Sequence, residues 1–356
     1  MATGSQRHHR VFYKSLPKVE LHRHLEGSLR LSTMIEVART YALDVPYDNT
    51  GLLRPLVQVQ NGEPFTHQNF LSKFAKLRLF YQSKEVIQRF TREVIADAAA
   101  DNIRYMELRF TPVALTRIRD FSMADAIDWV IESTQAAAKD YGVQTRLITS
   151  ANKHESVELA EEVIDLSIQR AHQGIVAVDL AGAEAEFPGK PFAPHYQKAK
   201  AAGLHVTIHA GEWGSAHNVA EAINDLGAQR IGHGVRVMED EDTIALAKEQ
   251  QITFEVCPTS NYQSGVVPTI KDHPLKHMLD AGLAVTINTD DPAISQIDLS
   301  DEYELACEDL GFSPDQLRQS IRTAAKAAFL PDEERARLVA LLDQEFATHK
   351  AANGAS

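Results

Sequence analysis

Residues 19–27 read V-E-L-H-R-H-L-E-G and set two imidazoles, His22 and His24, two positions apart. The alternation of Val19, Glu20 and Leu21 is that of a strand, where residues i and i+2 project from the same face. Side by side, the two rings are a candidate pair of metal ligands. Imidazole is a common zinc ligand, and a catalytic zinc keeps a position open for water. Alone, H-x-H describes two buried, hydrogen-bonded histidines equally well, so its meaning depends on the other polar residues of the chain.

Those residues recur in short motifs. H-A-G-E supplies His209 and Glu212, G-H-G supplies His233, and N-T-D-D-P supplies Asp290 and Asp291. His22, His24, His209 and Asp290 make a four-ligand N/O set that leaves a position for water if the metal is five-coordinate. Such a set suits zinc, and less selectively iron, cobalt or manganese. Water activated this way is a nucleophile at neutral pH. Glu212, three residues beyond His209, is a candidate proton shuttle, and His233 and Asp291 are candidates to hold the attacking water. Cys257 follows a strand and could be a nucleophile, but beside a metal set it reads better as buried packing. Cys307, in a late helix, reads as structural.

These motifs need a scaffold that brings distant segments to one place. Apolar strand patterns begin at 19 and recur at 103–110, 144–149, 175–180, 205–209, 230–233, 252–256 and 283–288. Helical patterns follow them at 31–42, 123–141, 157–173, 195–202, 219–226, 240–250 and 275–281, with further helices at 65–81 and 86–100 and from 305 onward. Residues 45–63, broken by Pro46, Gly51 and Pro55, read as irregular. Buried strands alternating with helices imply parallel pairing with right-handed crossovers. Eight of them predict a closed (β/α)8 TIM barrel with extra helices, in which chemistry sits at the C-terminal strand ends. The motif residues fall at those ends, as does Gly182 in L-A-G-A-E.

No linker divides the 356 residues, so 1–356 reads as one barrel domain with tails at 1–12 and 350–356, His8 and His9 lying in the first. A net charge of −13 argues against nucleic acid or an anionic membrane as partner and favours a small-molecule substrate. Two cysteines are too few for a disulfide framework. Without a signal-like leader or an 18-residue apolar run, the expected location is cytoplasmic. No glycine-rich phosphate loop opens a helix. The sequence does not specify an oligomeric state.

Taken together, H-R-H-L-E-G, Y-M-E-L-R-F-T-P, D-L-A-G, H-A-G-E, R-I-G-H-G, E-V-C-P-T-S-N and N-T-D-D-P resemble, in order, the landmarks of the adenosine deaminase family of the amidohydrolase superfamily. The likeness runs from residue 19 to about 292, and D-L-G-F and A-A-F-L-P extend it to about 331. It implies that His22, His24, His209 and Asp290 bind one Zn2+ per subunit. The strand I-V-A-V-D-L-A-G lacks the lysine that bridges two metals elsewhere in the superfamily. It implies that Glu212 protonates purine N1, that His233 and Asp291 orient water with Asp291 also facing N7, and that the Gly182 N–H meets N3. Phe70, Leu71 and Phe74 resemble the apolar lid over the sugar.

The reaction so implied is hydrolysis of adenosine or 2′-deoxyadenosine to the inosine and ammonia, a purine-salvage step. One residue departs from the pattern. Adenosine-acting members usually carry Asp where this chain has Glu26, the position that meets the ribose 5′-hydroxyl. Members acting on adenine, or on 5′-modified nucleosides such as aminodeoxyfutalosine, often carry Glu there, which makes them the alternative reading. A non-catalytic binding protein on the same scaffold would be marked by a broken ligand set, and the set is intact.

Overall fold

The structure is a computed structural model that describes the backbone of residues 4–353 and the side chains of 10–348. Eight strands, β1 (Lys18–His24), β2 (Ile103–Phe110), β3 (Gln144–Asn152), β4 (Ile175–Ala181), β5 (His205–Ala210), β6 (Arg230–His233), β7 (Thr253–Val256) and β8 (Ala284–Ile287), neighbour one another in sequence order. Every adjacent pair is parallel. The outer faces of the strands and the inner faces of the helices form one apolar core that runs from Tyr13 to Phe346.

The barrel closes between its first and last strands through a short seam. The amide of Leu21 donates to Asn288 Oδ1 at 3.0 Å. Beyond β8, the Asp290 amide donates to the His22 carbonyl at 2.8 Å, and the His24 amide donates to the Asp290 carbonyl at 2.9 Å. Thr289 Oγ1 adds a 2.7 Å bond to Glu20.

Local chemistry fixes the helices around this ring. Ser83, Ser122 and Ser156 cap the helices Lys84–Ala100, Met123–Tyr141 and Val157–Gln169 by accepting amides of the first turn. Gly142, left-handed at φ 71°, ends the second of these.

The barrel interior is polar. Inward-facing Arg109 donates to Glu255 at 2.6 Å and lies 3.5 Å from Asp179; Arg230 donates to Glu255 at 2.6 Å and also pairs with Glu107. All five side chains are fully buried. Below them Phe329 closes the N-terminal mouth, its ring under the Arg230 guanidinium and stacked on His205 at 4.3 Å. The A-A-F-L-P stretch is thus the plug of the barrel.

Three segments differ from the sequence reading. Residues 45–63 contain a helix, Thr50–Val57, capped by Asn49 and held by buried Leu53 and Val57 despite Pro55. The expected N-terminal tail is helical over Gly4–Ser15, and its Arg10 pairs with Asp298 and Asp301 while the Tyr13 hydroxyl reaches Glu308 at 2.9 Å. Acidic residues nearly 300 positions away order it, which no local pattern signals. The side chains of His8 and His9 lie outside the described residues. At the other end, the last helix extends to Asn353, into the expected tail. Among the described residues, no helix is long and apolar enough to cross a membrane.

Candidate active site

The C-terminal ends of the strands surround a cavity of about 380 Å³. At its floor His22, His24, His209 and Asp290 bring one ligand atom each to within 4.8 Å of one another, all buried. These atoms fit a cation and fit poorly without one. His22 Nδ1 donates to Glu255 at 2.8 Å and His209 Nδ1 donates to Asp179 at 2.9 Å, which leaves both Nε2 atoms as lone pairs facing inward. His24 Nε2 and His209 Nε2 stand 3.3 Å apart. His22 Nε2 is buried with no hydrogen-bond partner among the described residues. Three imidazole nitrogens and a carboxylate converging in this way define a divalent-metal site.

The carboxylates that orient the rings are themselves held charged. Burial opposes ionisation of Glu255, yet Arg109 and Arg230 keep its carboxyl well below the usual range. Asp179, likewise buried, is pulled down by His209 and Arg109. The polar barrel interior therefore serves the metal site above it.

Asp290 and His233 both adopt left-handed backbone, at φ 62° and 59°. Non-glycine residues take this conformation rarely and at a cost, and it gathers at functional positions. Ser260 Oγ donates to Asp290 Oδ2 at 2.7 Å, leaving the other carboxylate oxygen to the histidines.

Around the ligand set stand the remaining candidates. Glu212 is buried, and that burial, reinforced by Asp290 and Glu184, pushes its carboxyl well above the usual range although Lys153 opposes the shift. That direction favours the protonated form, the one able to donate. Asp291 is also pushed up, by burial and by its neighbours Asp290 and Glu26, and its Oδ1 is buried without a partner. Gly27 exists because of it: a Cβ there would lie 1.7 Å from that oxygen.

His233 is kept neutral chiefly by burial. A relay fixes which nitrogen carries its proton. The Leu275 amide donates to His273 Nδ1 at 3.1 Å, His273 Nε2 donates to Asn261 Oδ1 at 3.1 Å, and Asn261 Nδ2 donates to His233 Nδ1 at 3.1 Å. The His233 Nε2–H therefore points at the site, 3.6 Å from Glu212. So protonated, His233 presents an N–H donor to the cavity and no lone pair.

Gly182, at φ 89°, lines the cavity, and a Cβ there would strike His154 Nδ1 at 2.8 Å. Phe70, Leu71 and Phe74, on the helix His67–Leu77, line the outer wall. Phe70 is buried, whereas Leu71 and Phe74 remain partly open. Glu26 accepts the Thr111 amide at 2.6 Å through Oε1, and its Oε2 is buried without a partner. Burial pushes its carboxyl up to about 7. Cys257 lies beneath the site, its thiol pushed far above the usual range by burial, so it is no nucleophile.

All the expected site residues except His22 line the cavity directly, and His22 reaches it from the floor. Sequence reasoning missed Arg78, Asn152, His154 and Trp213 in the lining, and Asp179, Glu184, Glu255, Asn261 and His273 behind it. D-L-A-G-A-E and E-V-C-P-T-S-N contain four of these, but as acids and amides within strands and turns they carry no spacing signature of their own.

A closed (β/α)8 barrel with a three-histidine, one-aspartate cluster at its C-terminal mouth defines a hydrolase of the amidohydrolase superfamily. The sequence profile of the adenosine deaminase family matches residues 17–345, and the chain belongs to that family. An adenosine deaminase of Aliivibrio fischeri is 36% identical over 328 residues, covering 92% of this chain and 98% of its own. Among solved structures, an adenine deaminase from Arthrobacter aurescens superposes with a TM-score of 0.85 at 31% identity, covering 92% of this chain and 98% of its own. An amidohydrolase from Burkholderia ambifaria with bound Zn does so at 0.89 and 27%, covering 100% and 96%.

Proposed function

We propose that the protein is a zinc-dependent deaminase of adenosine and 2′-deoxyadenosine, releasing ammonia and the corresponding inosine. The observation that carries this reading is the pairing of the His22/His24/His209/Asp290 set with a buried acid, Glu212, at one cavity, its carboxyl pushed well above the usual range by burial. The likeness to the Aliivibrio fischeri adenosine deaminase supports the nucleoside, and the Zn in the Burkholderia ambifaria amidohydrolase supports the metal.

When bound to His22, His24, His209 and Asp290, the metal supplies Lewis-acid activation of the attacking water. The purine stands with C6 toward this set. Glu212 gives its proton to N1 as the oxygen–C6 bond forms, so the ring does not have to carry a negative charge. The His233 Nε2–H holds the incoming oxygen on its line of approach. Asp291, its carboxyl pushed up by burial, faces N7, and the Gly182 N–H faces N3. The vacated Glu212 carboxylate takes one proton of the attacking water, and the second passes to the exocyclic amine as the C6–N bond breaks, so ammonia leaves, C6 keeps the oxygen and Glu212 is again the acid.

Glu26 favours a second reading. Its free Oε2 requires a donor on the substrate, and either a ribose 5′-hydroxyl or the N9–H of free adenine offers one. The structural likeness to the Arthrobacter aurescens adenine deaminase points the same way. Adenosine, 2′-deoxyadenosine, adenine and a 5′-modified adenosine compared on metal-loaded protein, by ultraviolet absorbance loss, separate the two. Adenosine is expected to lead, and Glu26→Asp to keep it in the lead. A tenfold or greater lead for adenine or the 5′-modified compound, about 1.4 kcal/mol and so the scale of one mismatched polar contact, overturns the nucleoside assignment.

A further inference from the structure

Glu212 must be held at one depth, yet its carboxyl has little to hold it: it stands 3.6 Å from the neutral His233 ring at Nε2. Its backbone has to do the work. Glu184, two residues past Gly182 in the turn after β4, is buried with its carboxylate under the loop that follows β5. Oε2 accepts the Gly211 amide at 2.9 Å. Oε1 accepts those of Glu212, Trp213 and Gly214 at 2.6, 2.6 and 2.9 Å. Four consecutive amides thus converge on one carboxylate.

The loop is shaped around that group. Gly211 sits at φ 67°, and a Cβ at Gly214 would lie 2.5 Å from Asn218 Oδ1 and 3.2 Å from Glu184 Cδ. From the opposite side, Arg236 Nε donates to the Glu212 carbonyl at 3.2 Å, and the Arg236 amide donates to the Gly211 carbonyl at 2.9 Å. The acid-bearing residue is therefore gripped at both its N–H and its C=O. Because Glu184 belongs to the same turn as Gly182, the contact expected for N3 and the donor expected for N1 are tied into one unit.

We propose that Glu184 is a positioning residue that sets the height of Glu212 over the reacting carbon through these four amides, an inference that rests on the deaminase reading only for the reaction Glu212 serves. Misplacement of a reacting group by about 1 Å costs on the order of 100-fold in rate, so the loss should appear in kcat.

Glu184→Gln keeps the size but turns an N–H toward the amides and leaves a single acceptor. In metal-loaded protein assayed with adenosine, kcat should fall roughly 10- to 100-fold, the range for groups that orient others. KM and metal content should stay near those of the parent, and hydrogen exchange at the amides of 211–214 should accelerate. Glu184→Asp, with the charge retained, should recover part of kcat. It also carries the test if the glutamine variant does not fold. Wild-type kcat in Glu184→Gln, a rise in KM alone, or unchanged exchange at 211–214 would overturn the assignment. If the parent protein turns over no adenine compound, the deaminase reading fails on that result, while the exchange data still decide whether Glu184 holds the loop.

Discussion

Two buried acids pushed upward, Glu212 and Asp291, and a donor-state histidine, His233, stand together at the cavity floor. Glu212→Gln removes the transferable proton and preserves shape, so it should retain metal and lose about 10²- to 10⁴-fold in kcat, the usual worth of a general acid; paired metal analysis and absorbance assays check both halves. The residues most legible in the sequence were those whose own chemistry is rare, His22, His24, His209, His233 and the Asp290–Asp291 pair. Their supports were not. Glu255 acts on His22 from 233 positions away and Asp179 on His209 from 30, and a carboxylate inside an apolar strand has no sign of its inward aim until the barrel is closed. His273 acts at two removes, through Asn261, which places it beyond any motif.

At the level of elements, β2 shows why pattern reading worked and where it stopped. I-R-Y-M-E-L-R-F alternates as a strand should, and the strand Ile103–Phe110 has the bounds the pattern predicts. Alternation would ordinarily place Glu107 and Arg109 toward water. Here they face a barrel interior, where Arg109 balances Glu255 and Asp179 with no exposure to solvent. Removing that one cation takes a partner from two buried carboxylates, leaving Glu255 to Arg230 and Asp179 to His209. Arg109→Leu should therefore destabilise the fold by about 3–5 kcal/mol, the cost of breaking a buried pair, and weaken metal binding as Asp179 and Glu255 lose their charge balance. Chemical denaturation and metal titration of the variant measure the two effects. The helix Thr50–Val57 escaped prediction for a different reason: its proline and glycine are genuine breakers, and its stability comes from Leu53 and Val57 packed against the rest of the chain.

Across the whole molecule, the metal ligands and the barrel seam coincide. Asp290 pairs through its backbone with His22 and His24 while its side chain meets their rings, so a bound ion ties the first strand to the turn beyond the last. Chelation should lower the thermal midpoint by several degrees. An ion present at a thousandfold excess over its Kd contributes about 4 kcal/mol, and a chain of 356 residues shifts roughly 1–2 °C per kcal/mol. Calorimetry before and after metal removal measures it, and an unchanged midpoint would contradict the site.

The same coincidence orders events in time. Strand pairing along the ring, from the first strand to the seventh, joins segments that leave the ribosome one after another. The closing contact joins residue 22 to residue 290, and two of the four ligand positions wait, unmatched, through nearly the whole of synthesis. No nascent chain shorter than that holds the complete ligand set. Every competent site is therefore built on a finished barrel, and the capacity to hold the ion reports that the circle has closed.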